Sequence, residues 1–190
     1  LVGSEMCIRD RIGTALKRME QLIQSMLKIT RIDAGSISFE KSNYSIPNII
    51  NHAISELTTR ADNEKKEIVI DGDLEQMLYC DIDWTGEAIG NIIKNALDHT
   101  DTGGKISISW EQTPAMIRIF ITDNGHGISQ EDIHHIFKRF YRSKNTSESQ
   151  GIGLGLPLAK AIVEGQGGIL SVQSERLQGT TFTLSFLTES

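Results

Sequence analysis

The sequence has too little cysteine for a disulfide framework or a metal cluster. Its 190 residues include two cysteines, Cys7 and Cys80, which form no metal motif and are too few for a staple pattern. We read them as free thiols, one near the terminus and one in a strand, which fits a reducing, cytoplasmic location. Basic residues do not dominate either. Nineteen Lys and Arg against 25 Asp and Glu give a net charge of −6, which argues against a general nucleic-acid binder, since that needs a basic face. A phosphate site stays open, because such sites rest on local backbone N–H groups. The sequence has no apolar run of about 18 residues, the length that reads as a membrane span. It shows no signal peptide, and any membrane anchor is expected upstream of residue 1. Internal repeats and low-complexity tracts are lacking as well.

What is present is an apolar fraction of 38% spread along most of the chain, enough to bury a core. The first 35 residues read as a helix. Ile12, Leu16, Met19, Ile23, Met26 and Thr30 follow alternating steps of four and three, the seam of a coiled coil. The register fails before Ile12, and Leu1–Arg11 looks like translated adapter sequence. Residues 1–11 are therefore expected to be a non-native or unstructured leader. Ser36–Glu40 reads as a short strand and Pro47 to about Asn63 as one helix, with Pro47 in its first turn. Glu67–Asp71 and Gln76–Cys80 alternate as strands. Asp83 is the expected N-cap of a helix reaching His99. Strands at Lys105–Gln112 and Met116–Thr122 suggest a hairpin turning at Thr113–Pro114. After a glycine-rich stretch, a helix over 156–166 and strands at Ile169–Ser174 and Thr180–Phe186 complete the pattern. The expected fold is a two-layer α/β sandwich: a mixed, mostly antiparallel sheet with helices on one face.

Three constellations carry the chemistry. Asn91 and Asn95 share one face of the helix ending at His99, with Glu87 one turn earlier. They are either a solvated face or carboxamide ligands for a hard cation. Asp123-Asn-Gly125-His-Gly127 follows a strand. It is a turn, or a nucleobase pocket in which a buried aspartate accepts an amino group and glycines admit the base. The spacing of a calcium loop is absent. Gly151-Ile-Gly153-Leu154-Gly155 precedes a helix. It fits neither the dinucleotide fingerprint nor a Walker loop, and is either a linker or a source of N–H groups for an anion.

Taken in order, and joined by Gly179-Thr-Thr181-Phe182, these resemble the N, G1, G2 and G3 boxes of sensor histidine kinases. Phe137-Lys-Arg-Phe140-Tyr-Arg142 resembles the F box, and Leu27–Gly35 the end of the second dimerisation helix. The resemblance spans roughly Ile12 to Phe186. It divides the chain into residues 12–35, part of a dimerisation helix, and 36–190, an ATP-binding catalytic domain of the Bergerat type.

The resemblance implies ATP and Mg²⁺ as ligands. Asn95 would ligate Mg²⁺ and Asn91 would support the phosphates. Asp123 would read the adenine amino group in a pocket shaped by Gly125 and Gly127. Residues from about Lys138 to Gly155 would form a lid, with Gly151, Gly153, Leu154 and Gly155 near the phosphates. Arg142 would meet the γ-phosphate, with Arg139 a weaker candidate, and Thr181 would approach the base through water. Phe137 and Phe140 would anchor the lid. Asp98 stands where the family often has a cation, so Lys94 or Lys144 is the expected substitute. His99 is expected to be structural or stacking, and His134 and His135 to be surface residues. None of the five histidines, His52, His99, His126, His134 and His135, has the context of the phosphoacceptor, which would lie on another dimerisation helix. A response regulator would receive the phosphoryl group in turn. The full protein would be a homodimer, whereas one seam helix predicts a weak or absent dimer for this chain. Related chaperone and gyrase ATPases carry a water-activating Glu where this chain has Asn91, whose amide cannot act as a base.

Overall fold

The structure, a computed structural model, describes residues 2–143 and 152–188, with side chains from Ile12 onward. A long helix, α1 (Val2–Asp33), precedes β1 (Ser42–Ser45), α2 (Ile46–Ile54) and α3 (Leu57–Asn63). Next come β2 (Glu67–Asp71), β3 (Met77–Cys80) and α4 (Ile82–His99). The hairpin β4 (Lys105–Gln112) and β5 (Met116–Asp123) is followed by the short α5 (Gln130–Ile133). The described chain ends with α6 (Gly155–Gly165), β6 (Ile169–Glu175) and β7 (Gly179–Leu187). Five strands form one mixed sheet in the order β2-β4-β5-β7-β6, parallel between β2 and β4 and antiparallel elsewhere. β1 and β3 form a separate antiparallel pair. No helix among the described residues is long and apolar enough to cross a membrane.

Strand alternation makes the two layers. Ile106 and Ile108 of β4, Ile119 and Ile121 of β5 and Phe182 and Leu184 of β7 are buried on one face. The intervening Ser107, Ser109, Thr122, Thr181, Thr183 and Ser185 occupy the other face and are half-buried. α4 and α6 pack against each other and over the apolar face. α4 buries Ala88, Ile89, Ile92, Ile93, Ala96 and Leu97. Each large aliphatic among them contributes about 1.5–3 kcal/mol by leaving water. The two-layer sandwich expected from the sequence is the fold observed.

A buried polar knot fixes where α4 begins. The N-cap is Asp81, not Asp83: an Asp81 oxygen accepts the Trp84 N–H at 3.2 Å, and Asp83 lies in the first turn. The second Asp81 oxygen accepts the Glu40 N–H at 2.8 Å. The Asp81 N–H in turn donates to Gln166 Oε1 at 2.8 Å, and Gln166 Nε2 donates to Thr85 at 3.1 Å. Gln166 follows α6 directly, so the start of α4 and the end of α6 are tied together.

Three local expectations need correcting. Ser36–Glu40 is not a strand, because the Glu40 N–H goes to Asp81 and the strand pairing with β3 starts only at Ser42. The helix expected over 47–63 breaks at Ser55–Glu56 into α2 and α3. There the Ser55 hydroxyl donates back to the His52 carbonyl at 3.2 Å, a bond that competes with the helix ladder. The leader is not unstructured: α1 starts at Val2 and runs through residues 2–11. Cys80 is fully buried, and burial pushes its thiol up to about 11, so it behaves as a core residue.

Candidate nucleotide-binding site

The wall of the site is α4, and two contacts mark its ends. Near the middle of the helix, Asn91 Nδ2 donates to the Glu87 carbonyl at 3.0 Å. Its Oδ1 faces the first residue of α6, so that a Cβ on Gly155 would stand 3.3 Å from it. At the C-terminal end, the His99 carbonyl accepts the His126 N–H at 3.1 Å. A Cβ on Gly125 would lie 2.2 Å from that same carbonyl, and one on Gly127 would lie 2.1 Å from the Glu175 carbonyl. The loop after β5 therefore sits on backbone at both glycines. The eight residues from Asn91 to His99 separate the two contacts by about 12 Å of helix. Asn95 lies between them, half-buried and without a side-chain hydrogen bond among the described residues.

At the His99 end, Asp123 closes β5 on the helix-covered face and is 5% exposed. Its Oδ1 accepts the Gly125 N–H at 2.9 Å. Burial pushes its carboxyl above the ordinary value, with the N–H groups of Gly125 and Thr180 acting against the shift. Burial also lowers the His99 pKa, favouring the neutral ring. That agrees with a structural or stacking residue.

The structure moves several expected residues. Thr181 is registered opposite Thr122 and shares a 3.0 Å hydroxyl contact with it on the face away from the helices. The residue beside Asp123 is Thr180, its register partner, 6% exposed and 2.9 Å from the Ser174 hydroxyl. Strand alternation carried this signal: with Phe182 in the core, Thr180 shares its face and Thr181 does not. Leu154 is a core side chain, so only its backbone can serve a phosphate. Phe137 meets Phe182 edge-on at 6.3 Å, whereas Phe140 is exposed. His134 is exposed, whereas His135 is half-buried against the Tyr141 ring at 5.4 Å. Lys94 and Arg142 are exposed. Lys144 and Gly151 lie outside the described residues.

Three charged pairs were missed because each joins distant parts of the chain. Arg60 of α3 bonds Asp98 at 2.6 Å. Lys28 of α1 reaches both Glu87 oxygens, at 2.6 and 2.8 Å. Arg139 pairs with Asp33.

Residues 80–190 match the family described as histidine kinase-, DNA gyrase B-, and HSP90-like ATPase. The chain belongs to this family. It is similar to the heme sensor protein HssS of Staphylococcus saprophyticus, with 34% identity over 182 residues, 93% of this chain and 38% of that protein. The chain thus spans under two-fifths of the curated relative. Among solved structures, full-length ShkA in complex with AMPPNP superposes with a TM-score of 0.79 at 20% identity, covering 91% of this chain and 36% of ShkA. The histidine kinase ThkA, solved with the response regulator protein TrrA, gives 0.73 at 20% identity, covering 94% of this chain and 49% of that one. At these identities the structures speak for the fold.

The departure at Asp98 acquires a physical account. Its charge is met by Arg60, so the C-terminal end of α4 carries an ion pair where the family often has a lone cation. Asn95 suits a hard cation, because its carboxamide is half-buried and has no hydrogen-bond partner among the described residues, and an amide oxygen is an acceptable Mg²⁺ ligand.

Proposed function

We propose that this domain binds ATP with Mg²⁺ and transfers the γ-phosphoryl group to a histidine on a dimerisation helix that the present sequence does not include. The carrying observation is the wall of α4. It has the Asn91 carboxamide facing the start of α6, Asn95 one turn further on and, at its far end, a buried aspartate framed by glycines. Asp123 accepts the adenine amino group, and Gly125 and Gly127 leave the base room. Thr180 is the better candidate than Thr181 for the base side, since it lies beside Asp123. Asn91 and the backbone of Gly153, Leu154 and Gly155 face the phosphates, aided by the positive end of α6. Asn95 is the Mg²⁺ ligand; when bound, the ion would neutralise charge on the terminal phosphates. Arg142 meets the γ-phosphate, and Lys94, one turn before Asp98 on α4, is the candidate substitute for the cation missing there.

Such transfer depends on positioning and charge more than on covalent help. Hydrolysis is held back because Asn91 is no base and Glu87 is occupied by Lys28. That ThkA was solved with a response regulator supports a receiver domain as the next acceptor here. The whole protein is read as a homodimeric sensor whose catalytic part is cytoplasmic.

The test mixes this chain, Mg·ATP and a separate histidine-bearing dimerisation domain already known to accept phosphate from another kinase. Acid-labile phosphate on that domain is expected. Nucleotide binding without transfer would instead favour a nucleotide-sensing module, a reading to which the neutralised Asp98 lends weight.

A further inference from the structure

One carboxylate outside the residues discussed so far, Asp132, gathers three stretches of chain. It is the third residue of α5. The Ser129 hydroxyl accepts its N–H at 3.1 Å and donates to its Oδ2 at 2.9 Å, a reciprocal cap. That cap would be complete with Ser129 alone. The carboxylate nevertheless accepts two more hydroxyls, Tyr141 Oη on Oδ1 and Ser143 Oγ on Oδ2 at 2.7 Å. These residues stand on either side of Arg142. The three hydroxyl donors hold the Asp132 carboxyl below the usual carboxylate value, with Tyr141 the largest influence, so it is ionised at neutral pH.

The same stretch is held from the opposite side. The Phe140 N–H donates to the Gly153 carbonyl at 2.9 Å. Gly153 has φ 75, and a Cβ there would come within 2.7 Å of the Tyr141 carbonyl. Phe140 itself has φ 63, an uncommon conformation for a bulky residue that its surroundings must enforce. Residues 140–143 are thus clamped between α5 and the entry to α6.

We propose that Asp132 is a positioning residue for phosphoryl transfer: by holding Tyr141 and Ser143 it fixes the point from which Arg142 reaches the terminal phosphate. This rests on the role given to Arg142 above. Charge-assisted hydrogen bonds are short and directional, so two of them flanking one residue constrain its backbone. The clamp serves the terminal phosphate alone, and diphosphate binding should not depend on it.

The test is calorimetric titration of AMPPNP and ADP, each with Mg²⁺, into the chain and four variants. Arg142→Ala is the reference and should lose affinity for AMPPNP while keeping that for ADP. Asp132→Ala should match it, losing about tenfold for AMPPNP with ADP within about twofold, since displacement of a contact by about 1 Å can cost more than that. The double variant Tyr141→Phe/Ser143→Ala removes both donors but leaves the α5 cap intact, and should reproduce Asp132→Ala even if the latter folds poorly. Asp132→Asn keeps one acceptor oxygen and should fall between. If Arg142→Ala lowers AMPPNP affinity and the folded double variant does not, the positioning role of Asp132 is overturned while that of Arg142 stands. If Arg142→Ala changes nothing, the reading of Arg142 fails first and takes this inference with it. Equal losses for both nucleotides would reduce Asp132 to a structural residue.

Discussion

α1 and α4 are both amphipathic helices, yet they end in opposite situations. α4 hides its whole apolar stripe, and Ile89, Ile92, Ile93 and Leu97 are fully buried beneath the sheet and α6. α1 carries a weaker stripe, and its Ile12, Leu16, Met19, Ile23 and Leu27 are more than half exposed. Only from about Leu22 does α1 meet the domain, with Ile29 buried and α6 its neighbour. Periodicity states that a face will be covered. It does not state by what, or whether the cover belongs to the same chain.

The strongest way to break this contrast is to remove matched side chains. Ile93→Ala should cost about 2–5 kcal/mol of stability, the usual range for emptying a closed site. Chemical denaturation measures it, and a cost below 1 kcal/mol would mean that the α4 face is looser than its burial indicates. Next in size is Asp123→Asn, expected to weaken AMPPNP and ADP alike by at least tenfold, about 1.4 kcal/mol. Burial raises the Asp123 pKa, so its ionisation opposes folding. That opposition is absent below the ordinary carboxylate value and full above the raised one. Asparagine removes it, so the variant's melting temperature at pH 7 should equal or exceed that of the unsubstituted chain, with the difference closing toward acid. A variant that lost stability and binding together would point to collapse rather than to a lost adenine contact.

Lys28→Ala tests where the two helices meet. The Lys28–Glu87 pair is part exposed, so its loss should cost less than about 1 kcal/mol and should shrink further in salt. Smallest of all, Leu16→Ala should stay within about 0.5 kcal/mol. A cost like that of Ile93→Ala would show that the outer stripe of α1 is covered in solution.

How far the sequence could be read follows the same divide. The strands β2, β4, β5, β6 and β7 were legible to within a residue or two, because their alternation is local. The asparagine pair, Asp123 and the glycines were legible through their order along the chain. What escaped was set by contacts between remote residues. Asp81 displaced Asp83 as the cap because Gln166, 85 positions away, holds its N–H. Arg60 met Asp98 across 38 positions. The exception is the strand face of Thr181: alternation from Phe182 was available in the sequence and puts Thr180, not Thr181, on the face of Asp123.

Gly155 makes a last point about the wall of the site. With no side chain there, the amide oxygen of Asn91 sits at the distance a methyl group would crowd. The gap between the two helices is therefore gauged by an atom that is not there, and one methyl is the smallest wedge that evolution could drive into it. An alanine at 155 would push the helices apart by a few tenths of an ångström or swing the carboxamide aside. Either response would reshape the Asn91 end of the cleft without touching Asp123 at the other.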